Sequence, residues 1–236
     1  MKHRKKIGII GGVGPQATQY IYEHIIYYAQ KKYGAKNNDD YPLLLIESVP
    51  IPDFISDTKQ LGKALNMLYD TAGCLIRAGV DIIALGSNTV HICLPQLKKI
   101  VSVPFMSTID MVVNKCRQES VKKAGVLASP VLIKNSLYKK GLEKAGIETI
   151  LIQDSELMIV DRMIRHIIAG IKNHMDTNKY VEIINRMLAN GAERIILGCT
   201  ELPLAINYEA LGTKIVNSDE LLAEGIVDFY YQNFSV

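Results

Sequence analysis

Two short apolar runs, each ended by glycine and followed at once by polar residues, constrain the fold most strongly. Residues 82–86 precede the polar residues 87–89, and residues 195–198 precede the polar residues 199–201. A buried strand of a parallel sheet reads as a continuous apolar run, and ligands of open α/β sheets bind beyond the carboxyl ends of the strands. The pattern therefore predicts two parallel strands with candidate functional residues at their carboxyl ends.

Strand-like and helix-like segments alternate along the chain. Strands are predicted at residues 7–10, 43–49, 81–85 and 103–106, and again at 125–128, 149–152, 194–197 and 214–216. Between them, apolar residues recur at spacings of three and four, as in amphipathic helices. Two of these predicted helices pass through Leu137 and Leu142 and from Leu157 to Ile171.

The second half of the chain repeats the strand order of the first half at nearly constant spacing. Such a repeat is typical of an internal duplication. The sequence thus predicts an α/β fold of two similar lobes, each a parallel four-stranded sheet flanked by helices, related by pseudo-twofold duplication. Lobes placed face to face would bring Ser87 and Cys199 to opposite sides of one bound molecule.

Composition excludes several classes of partner. The 236 residues carry 27 basic and 24 acidic side chains and a net charge of +3, without the basic stripe that nucleic-acid binding needs. We interpret the one basic block, residues 2–6, as a solvated leader to the first strand. No apolar stretch approaches the roughly 18 residues of a membrane span. The four cysteines lie far apart, which disfavours disulfides and metal knuckles. We expect a cytoplasmic protein without nucleic-acid or membrane partners.

Paired groups at two strand ends suit the inversion of a carbon centre. Inversion removes a proton from one face and delivers one to the other, so acid and base must be separate groups. A thiol such as Cys199 is a suitable base because its ordinary pKa is near 8.5. Backbone N–H groups, the hydroxyls of Thr89 and Thr200 and the Asn88 amide are suited to hold a carboxylate and the developing enolate charge.

Three motifs together resemble one known family. Residues 7–18, 87–91 and 198–202 are similar to the aspartate/glutamate racemase family, specifically its aspartate racemase and broad-specificity amino-acid racemase branch. The resemblance implies a homodimeric racemase that needs no cofactor or metal and acts on a small-molecule substrate, either an amino acid or another carboxylate. By carry-over, the catalytic pair is Ser87 and Cys199, and the substrate-binding residues are Val13, Asn88, Thr89, Thr200 and Glu201.

The resemblance also implies how the lobes divide. The first lobe comprises residues 1–106 and 210–236, because the last helix returns to it, and the second comprises residues 107–209, with the active site in the cleft between them. Two positions depart from the family pattern: Ser87 stands where cysteine is usual, and Phe54 where an arginine is usual. We therefore expect Cys199 to perform the harder abstraction and doubt a preference for aspartate, although Arg162 and Arg165 are candidate cations.

Other interpretations stay open. Residues 12–17 match a dinucleotide-binding fingerprint, but the next acidic strand end, Glu47, is too distant for a usual ribose contact. A single-cysteine decarboxylase or a cis-trans isomerase of a dicarboxylate needs only one acid, and a non-catalytic carboxylate-binding relative would need none. His91 either orients Ser87 or bonds the backbone. The other cysteines are interpreted as core or incidental thiols, with Cys93 nearest the predicted site.

Overall fold

The computed structural model describes residues 4–171, 173–206, 208, 212 and 214–232. The strands in this part of the chain are β1 (Lys6–Gly11), β2 (Leu43–Ser48), β3 (Ile82–Leu85), β4 (Phe105–Met106), β5 (Lys123–Ala128), β6 (Glu148–Leu151), β7 (Arg194–Gly198) and β8 (Ile215–Asn217). The helices are α1 (Pro15–Tyr33), α2 (Leu61–Arg77), α3 (Leu94–Ile100), α4 (Thr108–Gln118), α5 (Pro130–Lys134), α6 (Leu137–Lys144), α7 (Asp154–Ile168), α8 (His174–Ala189) and α9 (Ser218–Tyr231). Among these helices, none combines the length and apolar composition that a membrane crossing requires.

The strands form two parallel sheets of the same topology. One sheet has the order β2-β1-β3-β4 and the other β6-β5-β7-β8, and every pairing between neighbours is parallel. The predicted α/β fold of two four-stranded parallel sheets flanked by helices is confirmed. In each sheet the two central strands are the first and third of their set, so the strands that precede the two polar motifs are both central.

The described chain divides into two compact units. The first comprises the described residues within Met1–Asp53, Gln60–Thr108 and Asp219–Val236, and the second those within Phe54–Lys59 and Ile109–Ser218. The predicted lobe boundary at residues 209 and 210 and the first two residues of the basic block, Lys2 and His3, lie outside the described residues.

In the first unit, β1 is buried between helices. α1 presents Ala17, Ile21 and Ile25 to the core at the spacing of four that the sequence predicts. α9 packs in the same unit, where Lys32 of α1 bonds Glu224 at 2.9 Å and Asp228 at 2.8 Å. These ion pairs join the first and last helices although they are distant in sequence.

In the second unit, β5 and β7 form the centre of the core. Ile195 and Leu197 are fully buried. α7 and α8 pack against each other, and the Arg186 guanidinium of α8 bonds both oxygens of Glu156 on α7 at 2.7 and 2.6 Å. The Asn173 side chain caps α8 by accepting hydrogen bonds from the backbone N–H groups of its first turn. A residue adjacent in sequence therefore defines the start of this helix.

The bounds of several predicted elements differ from those in the structure. The helix predicted through Leu137 and Leu142 is interrupted, because Ser136 adopts the left-handed conformation with φ 55° and separates α5 from α6. The helix predicted to reach Ile171 ends at Ile168, since Gly170 has φ 71° and stops it. β4 is two residues long, and β8 begins one residue later than predicted.

Candidate active site

In the first unit, the carboxyl ends of β1 and β3 lie side by side. The Gly86 N–H donates to the Ile10 carbonyl oxygen at 2.8 Å, immediately beyond the last paired residues. The loop that contains Val13 and the loop that begins with Ser87 therefore leave the same edge of the sheet. Both groups of predicted site residues in this unit share one edge.

The loop after β1 is held close to the neighbouring strand end. Gly12 has φ 81°, and a Cβ at this position would lie 2.5 Å from the Val49 nitrogen. The Gly12 N–H donates to the Thr18 hydroxyl at 2.9 Å. Because only glycine fits this conformation and this close approach, the backbone around Val13 is fixed.

The polar residues after β3 are almost completely buried. Ser87 is 5% exposed, Asn88 2% and Thr89 3%. A short 3-10 turn, Thr89–Cys93, follows them and leads into α3. Because these side chains are buried, bulk water does not compete for their hydrogen bonds, and the bonds they can form with a bound molecule are stronger.

His91 holds this loop through the backbone. Its Nδ1 lies 3.1 Å from the Ser87 carbonyl oxygen and 3.2 Å from that of Asn88, while Nε2 accepts from the Thr108 N–H at 3.1 Å. An amide N–H can only donate, so Nε2 is unprotonated and the proton sits on Nδ1. Of the two interpretations of His91, the backbone role is confirmed. The ring positions the Ser87 peptide and does not serve as a base for the hydroxyl.

In the second unit, three predicted site residues form one hydrogen-bonded cluster after β7. The Cys199 thiol donates to Glu201 Oε2 at 3.1 Å, and the Thr200 hydroxyl donates to the same oxygen at 2.9 Å. All three residues are at most 3% exposed. A buried carboxylate that already accepts from a thiol is placed to receive the thiol proton.

Two other thiols differ from Cys199 in their surroundings. Burial raises the pKa of Cys93 to about 11 and is also the main cause that raises the pKa of Cys116 to about 11. Both thiols therefore stay protonated at neutral pH, which fits their interpretation as core thiols. Cys74 is exposed.

The position where an arginine is usual is apolar and buried. Phe54 is 2% exposed. The two candidate cations are engaged in ion pairs: Arg162 bonds Asp176 Oδ1 through Nε at 2.9 Å and Nη2 at 2.6 Å, and Arg165 lies 3.3 Å from Asp161 and also bonds the Ser56 hydroxyl.

Sequence reasoning missed polar residues at the ends of the neighbouring strands in the second unit. Ser129 is fully buried and follows β5, whose last residue Ala128 pairs with Gly198. Ser218 follows β8, and its hydroxyl donates to the Leu197 carbonyl oxygen at 2.7 Å. A signal was available for Ser129, which directly follows the apolar end of a predicted strand, whereas Ser218 follows the polar Asn217.

The predicted site residues thus form two local groups. One lies in the first unit and consists of Val13, Ser87, Asn88 and Thr89, and the other lies in the second unit and consists of Cys199, Thr200 and Glu201.

A family comparison covers both groups of residues. The model of the Asp/Glu/Hydantoin racemase family matches residues 10–224, which include both groups. The chain belongs to this family. Its membership confirms the resemblance inferred from the three sequence motifs.

Relatives in this family support the assignment along the whole chain. The broad specificity amino-acid racemase RacX of Bacillus subtilis (strain 168) is 31% identical over 227 residues, covering 95% of this chain and 97% of the relative. An aspartate racemase homologue from Pyrococcus horikoshii OT3 is 30% identical, with a TM-score of 0.78, over 96% of this chain and 99% of its own. The aspartate racemase of Picrophilus torridus, at 23% identity, shares the fold with a TM-score of 0.83 over 96% of this chain and 94% of its own. Relatives named as amino-acid racemases are isomerases.

Proposed function

We propose that this protein is an amino-acid racemase that inverts Cα by proton abstraction and reprotonation, without a cofactor. The observation that carries the proposal is the buried Cys199 thiol that donates to the Glu201 carboxylate at 3.1 Å. Family membership and the similarity to amino-acid racemases support it. The alternatives of a single-cysteine decarboxylase or isomerase, or of a binding protein, use the same cysteine differently or not at all.

The first step uses the pair of Cys199 and Glu201. The thiol proton passes to Glu201, so an S–H bond breaks and an O–H bond forms. The thiolate then takes the substrate's Cα proton, which re-forms the S–H bond and leaves the electron pair of the broken C–H bond on the carboxylate-stabilised carbanion. Thr200, whose hydroxyl also bonds Glu201, keeps the carboxylate oriented during the transfer.

The second step returns a proton to the opposite face of Cα, and we assign it to Ser87. Its O–H bond breaks as the new Cα–H bond forms, the alkoxide then takes a proton from solvent, and Glu201 releases its proton to solvent. A hydroxyl is a far weaker acid and base than a thiol, so this step is the slower one in our proposal. It requires the strand ends of the two units to act on one substrate molecule, with Val13, Asn88 and Thr89 contacting it from the side of Ser87. His91 contributes by fixing the Ser87 peptide.

The surroundings of Phe54 favour a substrate without a second carboxylate. Phe54 is buried, and Arg162 and Arg165 already pair with Asp176 and Asp161. A side-chain carboxylate would have to compete with Asp176 and Asp161 for these guanidinium groups, and buried Asp176 would lose its guanidinium partner. We propose that neutral or basic amino acids are preferred over aspartate, in keeping with the broad specificity named for the Bacillus subtilis relative.

We further propose a cytoplasmic homodimer that pairs through β2. This strand lies at the edge of its sheet, and Leu43 and Ile46 on it are 42% and 38% exposed. Tyr22 of α1, 47% exposed, borders the same surface and lines a cavity with Leu43 and Leu44. An uncovered apolar edge promotes aggregation unless it is paired. A twofold axis between Leu44 and Leu45 would place Leu43 opposite Ile46 of the partner, so the strand is self-complementary.

The test follows Cα-proton exchange in deuterated water by proton NMR, with each L- and D-amino acid and with chiral chromatography of the products. We expect loss of the Cα signal and appearance of the enantiomer for at least one neutral or basic amino acid. Cys199→Ser should abolish both the Cα-proton exchange and the formation of the enantiomer, while the melting temperature changes little. Cys93→Ser, which alters another buried thiol, serves as the matched control and should retain activity.

The outcomes separate the candidate functions. Exchange without inversion would mean that Cys199 works while Ser87 does not return a proton. If no amino acid exchanges, the racemase proposal is wrong. Release of carbon dioxide from malonates would then support a decarboxylase, and isomerisation of a simple dicarboxylate a cis-trans isomerase. Binding of dicarboxylates without turnover would support a carboxylate-binding relative.

A further inference from the structure

Tyr180 is a buried polar residue in the core that surrounds Cys199. It lies on α8 and is fully buried, in one cluster with Cys199, Leu197 and Leu202. Within the described part of the chain its hydroxyl has no hydrogen-bond partner. Buried hydroxyl groups are nearly always paired, because an unpaired one costs stability. A phenylalanine would fill the same space without this cost, so the hydroxyl needs an explanation.

The electrostatics link this hydroxyl to the cysteine. Burial raises the pKa of Tyr180 well above its ordinary value, and the charge of Cys199 raises it further. The phenol therefore keeps its proton, and can donate a hydrogen bond, throughout the pH range in which enzymes of this kind work. The interaction also means that a negative charge on the sulfur is felt at the hydroxyl, although the thiol itself donates to Glu201.

We infer that Tyr180 is a positioning residue for Cys199, whose hydroxyl donates a hydrogen bond to the sulfur once the thiol proton has passed to Glu201. This inference rests on the proposed function only for the identity of the reaction that uses the thiolate. The proton balance is complete: the S–H bond breaks, the Glu201 O–H bond forms, and the Tyr180 O–H bond stays intact. The unpaired hydroxyl thus gains its partner in the charged state of the cysteine.

The experiment compares the wild type with Tyr180→Phe by carbon NMR of protein labelled at the cysteine Cβ. The Cβ resonance of each cysteine shifts on deprotonation, and its absence in Cys199→Ser assigns the Cys199 signal. Since hydrogen bonds to charged groups are among the stronger ones, we expect Tyr180→Phe to move the Cys199 titration midpoint upward by about one pH unit or more. The acid limb of the pH profile for Cα exchange should move with it.

A matched control is Tyr230→Phe, which removes the hydroxyl of another buried tyrosine in the first unit. It should leave the Cys199 midpoint unchanged. If Tyr180→Phe raises the melting temperature but leaves the midpoint where it was, Tyr180 is only a packing residue and the inference is overturned. Because the titration needs no turnover, a shifted midpoint in a protein without racemase activity would uphold Tyr180 while the proposed function fails.

Discussion

At the scale of single residues, the two strand ends carry unequal chemistry. The Cys199 thiol donates a hydrogen bond to the buried Glu201 carboxylate. The His91 imidazole, in contrast, forms its hydrogen bonds with backbone groups and is not available to the Ser87 hydroxyl. The proposed mechanism is therefore asymmetric even though the sheets share one topology. Because the equilibrium constant between enantiomers is one, kcat/KM must be equal in the two directions, and the asymmetry must appear in kcat and KM separately.

Replacing Ser87 by cysteine tests this asymmetry. With serine, a carbanion formed by Cys199 regains its proton from Cys199 more often than from Ser87, so exchange exceeds inversion for one enantiomer. In Ser87→Cys we expect kcat for inversion to rise about 100-fold, as positioned acid–base groups contribute. The ratio of deuterium incorporation to inversion should fall towards one. Both are measured by NMR with chiral chromatography.

The matched control for this substitution is Ser107→Cys, which places a thiol after β4 in the same sheet. It should change neither quantity. An unchanged exchange-to-inversion ratio in Ser87→Cys would remove Ser87 from the proton path. A decarboxylase, by contrast, would begin to racemise its own product when it gains this second thiol.

The location of Ser87 and Cys199 at strand ends could be predicted from sequence, but the hydrogen-bond partners of their side chains could not. Apolar runs ended by glycine identified Ser87 and Cys199. The two bonds to one oxygen of Glu201 depend on side-chain torsions that sequence spacing does not determine. Tyr180 was missed because it joins the core cluster of Cys199 through packing of residues that are distant in sequence.

At the scale of secondary-structure elements, glycine predicted some boundaries and was overlooked at others. The loop after β1 follows from Gly12, whereas apolar spacing predicted a helix to Ile171 and Gly170 ends α7 at Ile168. The break between α5 and α6 had no such signal, because Ser136 adopts a left-handed conformation that serine rarely takes. The local sequence thus determines the boundary of an element where a residue has few allowed backbone conformations. Tertiary packing determines the boundary where a residue has several.

One buried carboxylate contributes to the join between α7 and α8. Asp176 is 2% exposed and bonds Arg162 through Oδ1 and the His166 Nδ1 through Oδ2 at 2.8 Å. The Arg162 guanidinium is the main cause that lowers the pKa of this carboxyl, burial opposes it, and His166 adds to the lowering. This cluster could not be predicted from residue spacing, since its members lie on two helices.

Asp176 should make the unfolding free energy sensitive to acid. Its folded-state pKa lies below the unfolded value of about 3.9, so its contribution is complete above that value and is lost as pH falls through the folded-state pKa. Asp176→Asn should lower the unfolding free energy at neutral pH by about 1–3 kcal/mol and flatten its decline below about pH 4. Urea unfolding at several pH values measures both effects.

The control is Glu143→Gln, which removes an exposed pair with Lys139 at 3.7 Å in the same unit. Exposed pairs contribute little, so this variant should keep the stability and the acid dependence of the wild type. An Asp176→Asn variant with the same acid limb as the wild type would show that other carboxyls govern acid unfolding.

At the scale of the whole molecule, the duplication was readable because strand spacing repeats along the chain. The structure gives the same strand order in both sheets, which the spacing alone does not determine. The exposure of individual apolar side chains was harder to predict from sequence. The apolar run at residues 43–46 reads as a buried strand, yet β2 lies at the edge of its sheet and exposes two of these side chains.

This exposed edge leads to a prediction about assembly. If β2 pairs with its copy about a twofold axis, light scattering coupled to size-exclusion chromatography should give twice the chain mass of 26.3 kDa. The double variant Leu43→Lys, Ile46→Lys should elute as a monomer, because lysines facing one another across the axis repel and edge lysines block strand pairing. Ile100→Lys alters an apolar side chain on α3 that is 63% exposed and should remain dimeric.

A double variant that keeps the wild-type mass would place the dimer contact elsewhere, and a monomeric wild type would refute the dimer itself. Comparing the Cα-exchange rate of the monomeric variant with that of the wild type would then show whether catalysis needs the second copy.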